Sequence, residues 1–319
     1  MSERKEFYFD SRDGETKIHA VKWIPDEDKM QEGKPYCIVQ IIHGMQEYAL
    51  RYDDFAKYLA EKGIVVVADD HLGHGLSKKE GNPYGYMCEQ DAATVMVRDV
   101  HRLKKITQQE YPGVPIIIIG HSMGSFILRN YLTKYGTGID GAIIAGTGWH
   151  SMFSMSAAQC LAKLIGLFKG QKHPSTFMEH VGFKKYSSRI ENPKTDKDWI
   201  CRDEQVVAEY IQNPMCNFTF TVNGFYTLME LTKRAHDMEK MKQIPKKLPI
   251  LIASGTEDPV GNWGEAPKQL YDTYLNLDMT KTQLKLYNKD RHEILNEIDK
   301  QTVYLDFYNW IANVVDCLQ

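Results

Sequence analysis

The residues best suited to chemistry lie in one short segment, where a serine stands between two glycines. Four isoleucines at 116–119 are typical of a fully buried strand, and residues 126–132 are typical of a helix. Between them lies Gly120-His121-Ser122-Met123-Gly124, a Gly-x-Ser-x-Gly motif at a strand-to-helix turn. Such a turn holds the serine in a strained backbone conformation that requires small neighbours, and it exposes the hydroxyl. The motif predicts Ser122 as a nucleophile.

A serine hydroxyl becomes an effective nucleophile when a histidine takes its proton and a carboxylate orients that histidine. Two loops late in the chain carry such residues: Asp258 follows a strand predicted at 249–253, and His292 follows a strand predicted at 282–287. Ser122, Asp258 and His292 also stand in the order that is typical of α/β-hydrolases. Glu257 is an alternative acid. Asp258 is favoured because the position before Pro259 suits a fixed, inward-turned side chain.

The other histidines near these motifs are poorer candidates for the base. His121 adjoins Ser122, but adjacent side chains diverge at a sharp turn, so we expect His121 to pack or hydrogen-bond locally. His43, His71 and His74 are expected to position loops. The chemistry assigned to Ser122 and His292 needs no cofactor and no metal ion.

Acyl transfer also needs donors that stabilise negative charge on the carbonyl oxygen. The backbone N–H of Met123, the residue after the nucleophile, is one expected donor. The loop His43-Gly44-Met45-Gln46-Glu47 follows another predicted strand, and the Met45 N–H is the second expected donor. Gly44 lets this loop turn toward the site, where we also expect it to contact substrate.

The elements that must position these motifs are short apolar strands alternating with helices. Strands are expected at 36–42, 64–68, 116–119, 141–145, 249–253 and 282–287, and helices at 52–62, 92–110, 265–275 and 300–315. A hairpin around Asp13-Gly14 adds antiparallel edge strands. The pattern predicts an α/β fold, with a mostly parallel eight-stranded sheet, helices on both faces and each motif at the carboxyl end of a strand.

The alternation stops between residues 149 and 236, which we interpret as a helical cap inserted into a core of residues 1–148 and 237–319. Apolar residues concentrate at its start, and residues 157–168 are expected to form an amphipathic helix. That helix could hold an acyl chain, pack as an ordinary helix on the core, or rest on a micelle or membrane surface. The expected substrate contacts are Trp149, Met152, Phe153, Leu161 and Phe225, with His121 from the core.

The composition limits the classes of function. The 319 residues are 43% hydrophobic and 25% charged, with a net charge of −3, which gives no reason to expect a nucleic-acid partner. The six cysteines lack metal-ligand spacing and are expected to be reduced thiols. Because neither an apolar leader nor a membrane-spanning stretch is found, we expect a cytoplasmic protein, and no motif indicates an obligate protein partner.

Several segments together resemble the monoacylglycerol lipase and lysophospholipase group of α/β-hydrolases. The likeness lies in the loop 43–48, in Arg51-Tyr52, in residues 69–77, in the Ser122 motif, and in residues 255–261 and 292–297. The resemblance implies a serine hydrolase with a lid that acts on esters of single acyl chains. It implies the same triad and the same oxyanion donors. It is weak through residues 149–236.

The predicted activity is therefore carboxylic ester hydrolysis of a small acyl ester through an acyl-enzyme intermediate. An amidase or aminopeptidase on the same core is an alternative, in which Glu179, Glu204 or Glu209 would hold the substrate amine. A non-catalytic binding protein on a hydrolase scaffold is a third interpretation, and the three triad candidates in the expected order argue against it.

Overall fold

The predicted apolar runs form the strands of one central sheet. The computed structural model describes residues 3–318, with these strands: β1 (Glu3–Asp10), β2 (Lys17–Ile24), β3 (Cys37–Ile42), β4 (Ile64–Asp69), β5 (Ile116–His121), β6 (Gly141–Ala145), β7 (Ile250–Gly255) and β8 (Thr282–Tyr287). Their order in the sheet is β1-β2-β4-β3-β5-β6-β7-β8. The strands β3 to β8 are parallel, whereas β1 pairs antiparallel with β2 and β2 with β4. The mostly parallel eight-stranded sheet is confirmed.

Helices cover both faces of the sheet. They are α1 (Asp53–Ala60), α2 (Ala92–Glu110), α3 (Met123–Tyr135), α4 (Met152–Lys169), α5 (Thr176–Phe183), α6 (Glu204–Gln212), α7 (Val222–Ala235), α8 (Met238–Met241), α9 (Glu265–Asn276) and α10 (Lys300–Asp316). Successive strand residues point to opposite faces. Ile116 and Ile118 accordingly join the apolar cluster that includes α2, α3 and α9, and Ile117 and Ile119 join the cluster with α1 and α10.

The parallel register brings the functional loops to one edge of the sheet. His121 on β5 aligns with Ala145 on β6, and Gly255 on β7 aligns with Tyr287 on β8. The loops that follow β3, β5, β7 and β8 therefore emerge together at the carboxyl ends of the strands, where α/β sheets bind ligands.

The segment 149–236, called the insertion below, lies between β6 and β7. All of its residues are described, and none of them lies in a strand. Its first helix, α4, begins at Met152 instead of the predicted residue 157, because the Ser151 hydroxyl caps the helix by accepting a hydrogen bond from Ser154 N at 3.1 Å. Its last helix, α7, is fixed to α3 by hydrogen bonds from Asn130 to Leu231 O and from Arg129 to Ala235 O.

Across residues 3–318, no helix has the length and apolar character that crossing a bilayer requires.

Candidate active site

Ser122 lies at the turn between β5 and α3. Its backbone has φ 53° and ψ −118°, a conformation that a non-glycine residue adopts only at an energetic cost. Gly124 is required here, because a Cβ on it would lie 2.1 Å from the carbonyl oxygen of Ile42. The Ser122 side chain is partly exposed and lines the same cavity as His292. The turn thus presents the hydroxyl to the space beside that histidine.

Asp258 and His292 are joined by a buried hydrogen bond. His292 Nδ1 lies 3.0 Å from Asp258 Oδ1, which also accepts a hydrogen bond from Val260 N at 2.9 Å. Burial would raise the pKa of the Asp258 carboxyl, but the charge of His292 and its hydrogen bond hold that pKa below its usual value. The alternative acid, Glu257, is exposed. An ionised Asp258 in this position fixes the tautomer and the orientation of the His292 ring.

A buried carboxylate that was not predicted to have a role joins the two loops beside Ser122. Glu47 Oε1 accepts hydrogen bonds from Gly44 N, from the Tyr52 hydroxyl at 3.0 Å and from His121 Nδ1 at 3.0 Å. Burial would raise the pKa of Glu47, but His121 and then Arg51 hold it well below its usual value. The ionised carboxylate therefore ties the Gly44 loop to the residue before Ser122.

Arg51 extends this network to a second loop. Glu47 and Arg51 are an oppositely charged i,i+4 pair, with Arg51 Nη1 3.6 Å from Glu47 Oε2. Arg51 also pairs with Glu293, whose Oε2 lies 2.7 Å from Arg51 Nη2. Because Glu293 directly follows His292, this chain of charges links the loop after β3 to the loop after β8.

His121 hydrogen-bonds to two loops that are distant from it in sequence. Its Nε2 lies 3.2 Å from the carbonyl oxygen of His292 while its Nδ1 contacts Glu47. Burial would lower the pKa of His121, but the hydrogen bond with Glu47 and its charge raise it above the usual value. A protonated ring can donate from both nitrogens, so His121 braces the His292 backbone.

His43, His71 and His74 form a stacked group behind the loop after β3. The rings of His43 and His71 stack with centroids 4.0 Å apart, and His71 N donates to His43 Nε2 at 2.9 Å. Burial lowers the pKa of His74 to about 4, with a further contribution from the charge of His71. These packed rings position loops, and none of the three lines the cavity.

The two residues expected to supply oxyanion donors, Met45 and Met123, line the same cavity as Ser122. Met123 is the first residue of α3, where backbone N–H groups have no partner within the helix. Within residues 3–318, neither Met45 N nor Met123 N donates a hydrogen bond to a backbone oxygen in the turns, loops and helix caps. Gly44 lies so close to Ser122 that a Cβ on it would be 2.9 Å from Ser122 Cβ. Both N–H groups are therefore available to an external acceptor.

A cavity of about 250 Å³ lies between these loops and the insertion. Ser122, His292, His121, Met45 and Met123 line it, together with Leu161 and Phe225 from the insertion. Most of its other lining residues in the insertion are apolar and were not predicted: Met155, Ala158, Met178, Val181, Phe183, Trp199, Leu228 and Met229. The spacing of Met155, Ala158 and Leu161 along one helical face was the available signal.

Four of the expected substrate contacts do not line the cavity. Met152 and Phe153 lie at the first turn of α4 with 46% and 85% of their surface exposed, and neither lines the cavity. Trp149 packs its ring against His236, with centroids 4.7 Å apart, and under the Arg129 guanidinium. Gly44 does not line the cavity either, although it is close to Ser122.

Known proteins are similar to this chain over most of its length. The serine aminopeptidase S33 family matches residues 33–299. A monoglyceride lipase of Mus musculus is 40% identical over 294 residues, covering 88% of this chain and 84% of that protein. A monoacylglycerol lipase of Mycolicibacterium smegmatis is 27% identical over 316 residues, 98% of each chain.

Solved structures share the whole fold. A thermostable carboxyl esterase from Bacillus coagulans, crystallised with glycerol, superposes with a TM-score of 0.85 at 30% identity, covering 98% of this chain and 99% of the esterase. The family match over residues 33–299 and the similarity to the mouse protein together assign the family. The chain belongs to the serine aminopeptidase S33 family of α/β-hydrolases, in its monoacylglycerol lipase group.

Proposed function

We propose that this protein, a carboxylic ester hydrolase, cleaves esters of single acyl chains through an acyl-enzyme on Ser122. The observation that carries the proposal is the buried 3.0 Å contact between His292 and Asp258 on a cavity that Ser122 also lines. His292 takes the proton from the Ser122 hydroxyl as it attacks the ester carbonyl. The carbonyl oxygen becomes an oxyanion that accepts hydrogen bonds from Met45 N and Met123 N.

His292 completes acylation by giving its proton to the leaving alkoxide, and the alcohol departs. In the second half of the reaction, His292 takes a proton from water, which attacks the acyl-enzyme, and returns that proton to the Ser122 oxygen as the carboxylic acid is released. Asp258 stays ionised throughout and stabilises the imidazolium that forms in each half.

The cavity favours a monoacylglycerol or a related ester with one apolar chain. Its apolar lining from α4, α5 and α7 suits an acyl chain, and methionines such as Met155 and Met229 adapt to its shape. Gln46, Glu47 and Glu293 are polar groups on the same cavity and suit a hydroxylated head group. The names of the relatives, monoglyceride lipases among them, support the same substrate class.

Amide hydrolysis has less support. Of the acids that would hold a substrate amine, Glu204 pairs with Lys194 at the surface, and Glu179 accepts from Thr219 at 2.6 Å. Neither of them lines the cavity, and Glu209 does not line it. The carboxylates that do line it, Glu47 and Glu293, both pair with Arg51.

The insertion acts as a cap that also contacts anionic lipid surfaces. Phe153, Leu167 and Phe168 on α4 each expose more than 80% of their surface, and Phe177 and Val181 on α5 expose more than half. Residues 149–190 contain five lysines, one arginine and one glutamate, while the whole chain has a net charge of −3. An apolar surface flanked by cations is suited to lie in the headgroup layer of an acidic membrane.

This surface is tested by vesicle sedimentation. The double variant Leu167→Glu/Phe168→Glu should lose binding to phosphatidylglycerol-containing vesicles, and Leu305→Glu, which changes an exposed leucine on α10, should keep it. Equal binding by the double variant and by Leu305→Glu would contradict the role of the insertion.

A cytoplasmic location completes the proposal. It is supported by the six cysteines, which lack disulfide spacing and are all free thiols in the structure. Cell fractionation of the native protein tests it, and recovery outside the cytoplasm would contradict it.

The enzymatic proposal is tested by a substrate series. Wild type should hydrolyse p-nitrophenyl esters from butyrate to laurate and should leave amino-acid anilides intact. Ser122→Ala should lower kcat by several orders of magnitude, as removal of a triad nucleophile does. Ser125→Ala, which changes a serine in the first turn of α3, should remain active. Faster turnover of the anilides would contradict the ester assignment.

A further inference from the structure

The loop that carries His292 is fastened to the insertion by backbone hydrogen bonds. His292 N donates to Trp199 O at 3.4 Å, and Glu293 N donates to Ile200 O at 2.8 Å. The Arg291 side chain donates to Asp198 O at 2.6 Å. The backbone of His292 and of the residue after it thus depends on the segment 198–202, which is distant from it in sequence.

One guanidinium at the end of that segment holds both sides of the His292 loop. Arg202 Nη2 lies 2.5 Å from Asp290 Oδ1, two residues before His292. Arg202 Nε lies 2.9 Å from Glu297 Oε2, five residues after it, and Arg202 Nη2 also contacts Asp299 at 2.5 Å. A planar guanidinium can make these contacts together because its donors form a fixed fork.

Three acidic side chains surround the Arg202 guanidinium. Oxygens of Asp290, Glu297 and Asp299 lie within 4.8 Å of one another, and the first two side chains are buried. Burial, with the charges of Glu297 and Asp299, raises the pKa of Asp290 above its usual value. Without the cation, three carboxylates would repel one another across the base of the loop.

We propose that Arg202 is a positioning residue for the hydrolytic reaction, because it draws Asp290 and Glu297 together and so keeps the His292 ring between Asp258 and Ser122. The inference rests on the proposed function, which makes His292 the base. The indole of Trp199, whose ring centroid lies 5.2 Å from that of His292, is carried by the same segment. Arg202 therefore acts on the reaction only through the position of His292.

The test compares Arg202→Met and Arg202→Lys with a matched cap arginine. Arg234 on α7 also joins the insertion to the core, through Asp91 at 2.9 Å, and it does not line the cavity. Arg202→Met should lower kcat for p-nitrophenyl butyrate by about 10- to 100-fold while KM stays within about threefold, because a displaced base slows chemistry more than binding. Arg202→Lys should restore part of kcat, since a lysine supplies the charge without the fork. Arg234→Met should keep kcat within about threefold of wild type.

Each possible result supports or overturns the positioning role of Arg202. If Arg202→Met has the same kcat as Arg234→Met, or differs from wild type only in KM, Arg202 does not position His292. If Arg202→Met does not fold, Asp290→Asn replaces it. That variant leaves Glu297 and Asp299 on the guanidinium and should lower kcat severalfold at unchanged KM, and wild-type kinetics would overturn the inference. A wild type that hydrolyses no ester would overturn the proposed function itself, and an active wild type with an unaffected Arg202→Met would overturn this inference alone.

Discussion

Replacing Gly44 by alanine tests the oxyanion loop directly. A Cβ at Gly44 would lie 2.6 Å from Glu47 Oε1 and 2.9 Å from Ser122 Cβ. Carbon atoms in van der Waals contact are about 3.5 Å apart or more, so the loop must move by roughly 0.6 Å. A catalytic group tolerates a displacement of only about 0.5 Å from its productive geometry. The adjacent Met45 N–H would therefore leave its position facing the oxyanion.

The expected magnitude follows from the loss of one donor. Removal of an oxyanion-hole donor costs about 10²- to 10³-fold in kcat, or about 3 to 4 kcal/mol. Overpacking of the buried site should also lower stability by about 1 to 3 kcal/mol. We therefore expect Gly44→Ala to fold with a lower Tm and to lose most of its kcat.

The assay is steady-state hydrolysis of p-nitrophenyl butyrate, with thermal melting of the same samples. Gly138→Ala is the matched control, because the nearest atom to its added Cβ is the flexible end of Lys104 at 3.4 Å. The control should keep wild-type kcat. If Gly44→Ala, measured well below its Tm, also keeps kcat within about threefold of wild type, Met45 does not serve as an oxyanion donor.

Three further outcomes are expected. Asp258→Asn should lower kcat by about 10⁴-fold because the His292 tautomer is no longer fixed, whereas Glu257→Gln should behave as wild type; the reverse pattern would make Glu257 the acid. Leu161→Trp should raise KM for laurate esters and spare butyrate, because Leu161 lines the cavity; equal effects on both esters would place the acyl chain elsewhere. Burial raises the pKa of Asp99 to about 7, so folding favours its protonated form, and the stability that Asp99 contributes should be lost as pH rises from about 4 to about 7. The shift corresponds to at most about 4 kcal/mol, so the free energy of urea unfolding of wild type should fall relative to that of Asp99→Asn over this pH range; a constant difference between the two proteins would refute this reasoning.

The sheet was predictable from the sequence because each buried parallel strand is a short apolar run. Ile116 to Ile119 alternate between two apolar clusters, so all four must be apolar, and the run stands out. Ser122, Asp258 and His292 were predictable as a set for a related reason. Each of the three residues lies shortly after such a strand, and the carboxyl ends of parallel strands meet at one edge of the sheet.

Other residues could not be assigned because their partners are distant in sequence. Glu47 contacts His121, and Arg202 contacts Asp290, and neither pairing leaves a local pattern. The cavity-lining residues of the insertion could not be assigned for a different reason. Its apolar residues were recognisable, but composition does not tell which face of α4 meets the cavity, and Phe153 lies on the exposed side whereas Leu161 lies on the cavity.

The most direct measurement is the mass of the enzyme after reaction with a fluorophosphonate, followed by peptide mapping. One phosphonyl group should be attached to the hydroxyl of Ser122, and neither Ser122→Ala nor His292→Ala should be labelled at the wild-type rate. A label on a different side chain, or undiminished ester turnover by Ser122→Ala, would contradict the assignment of this serine as the nucleophile.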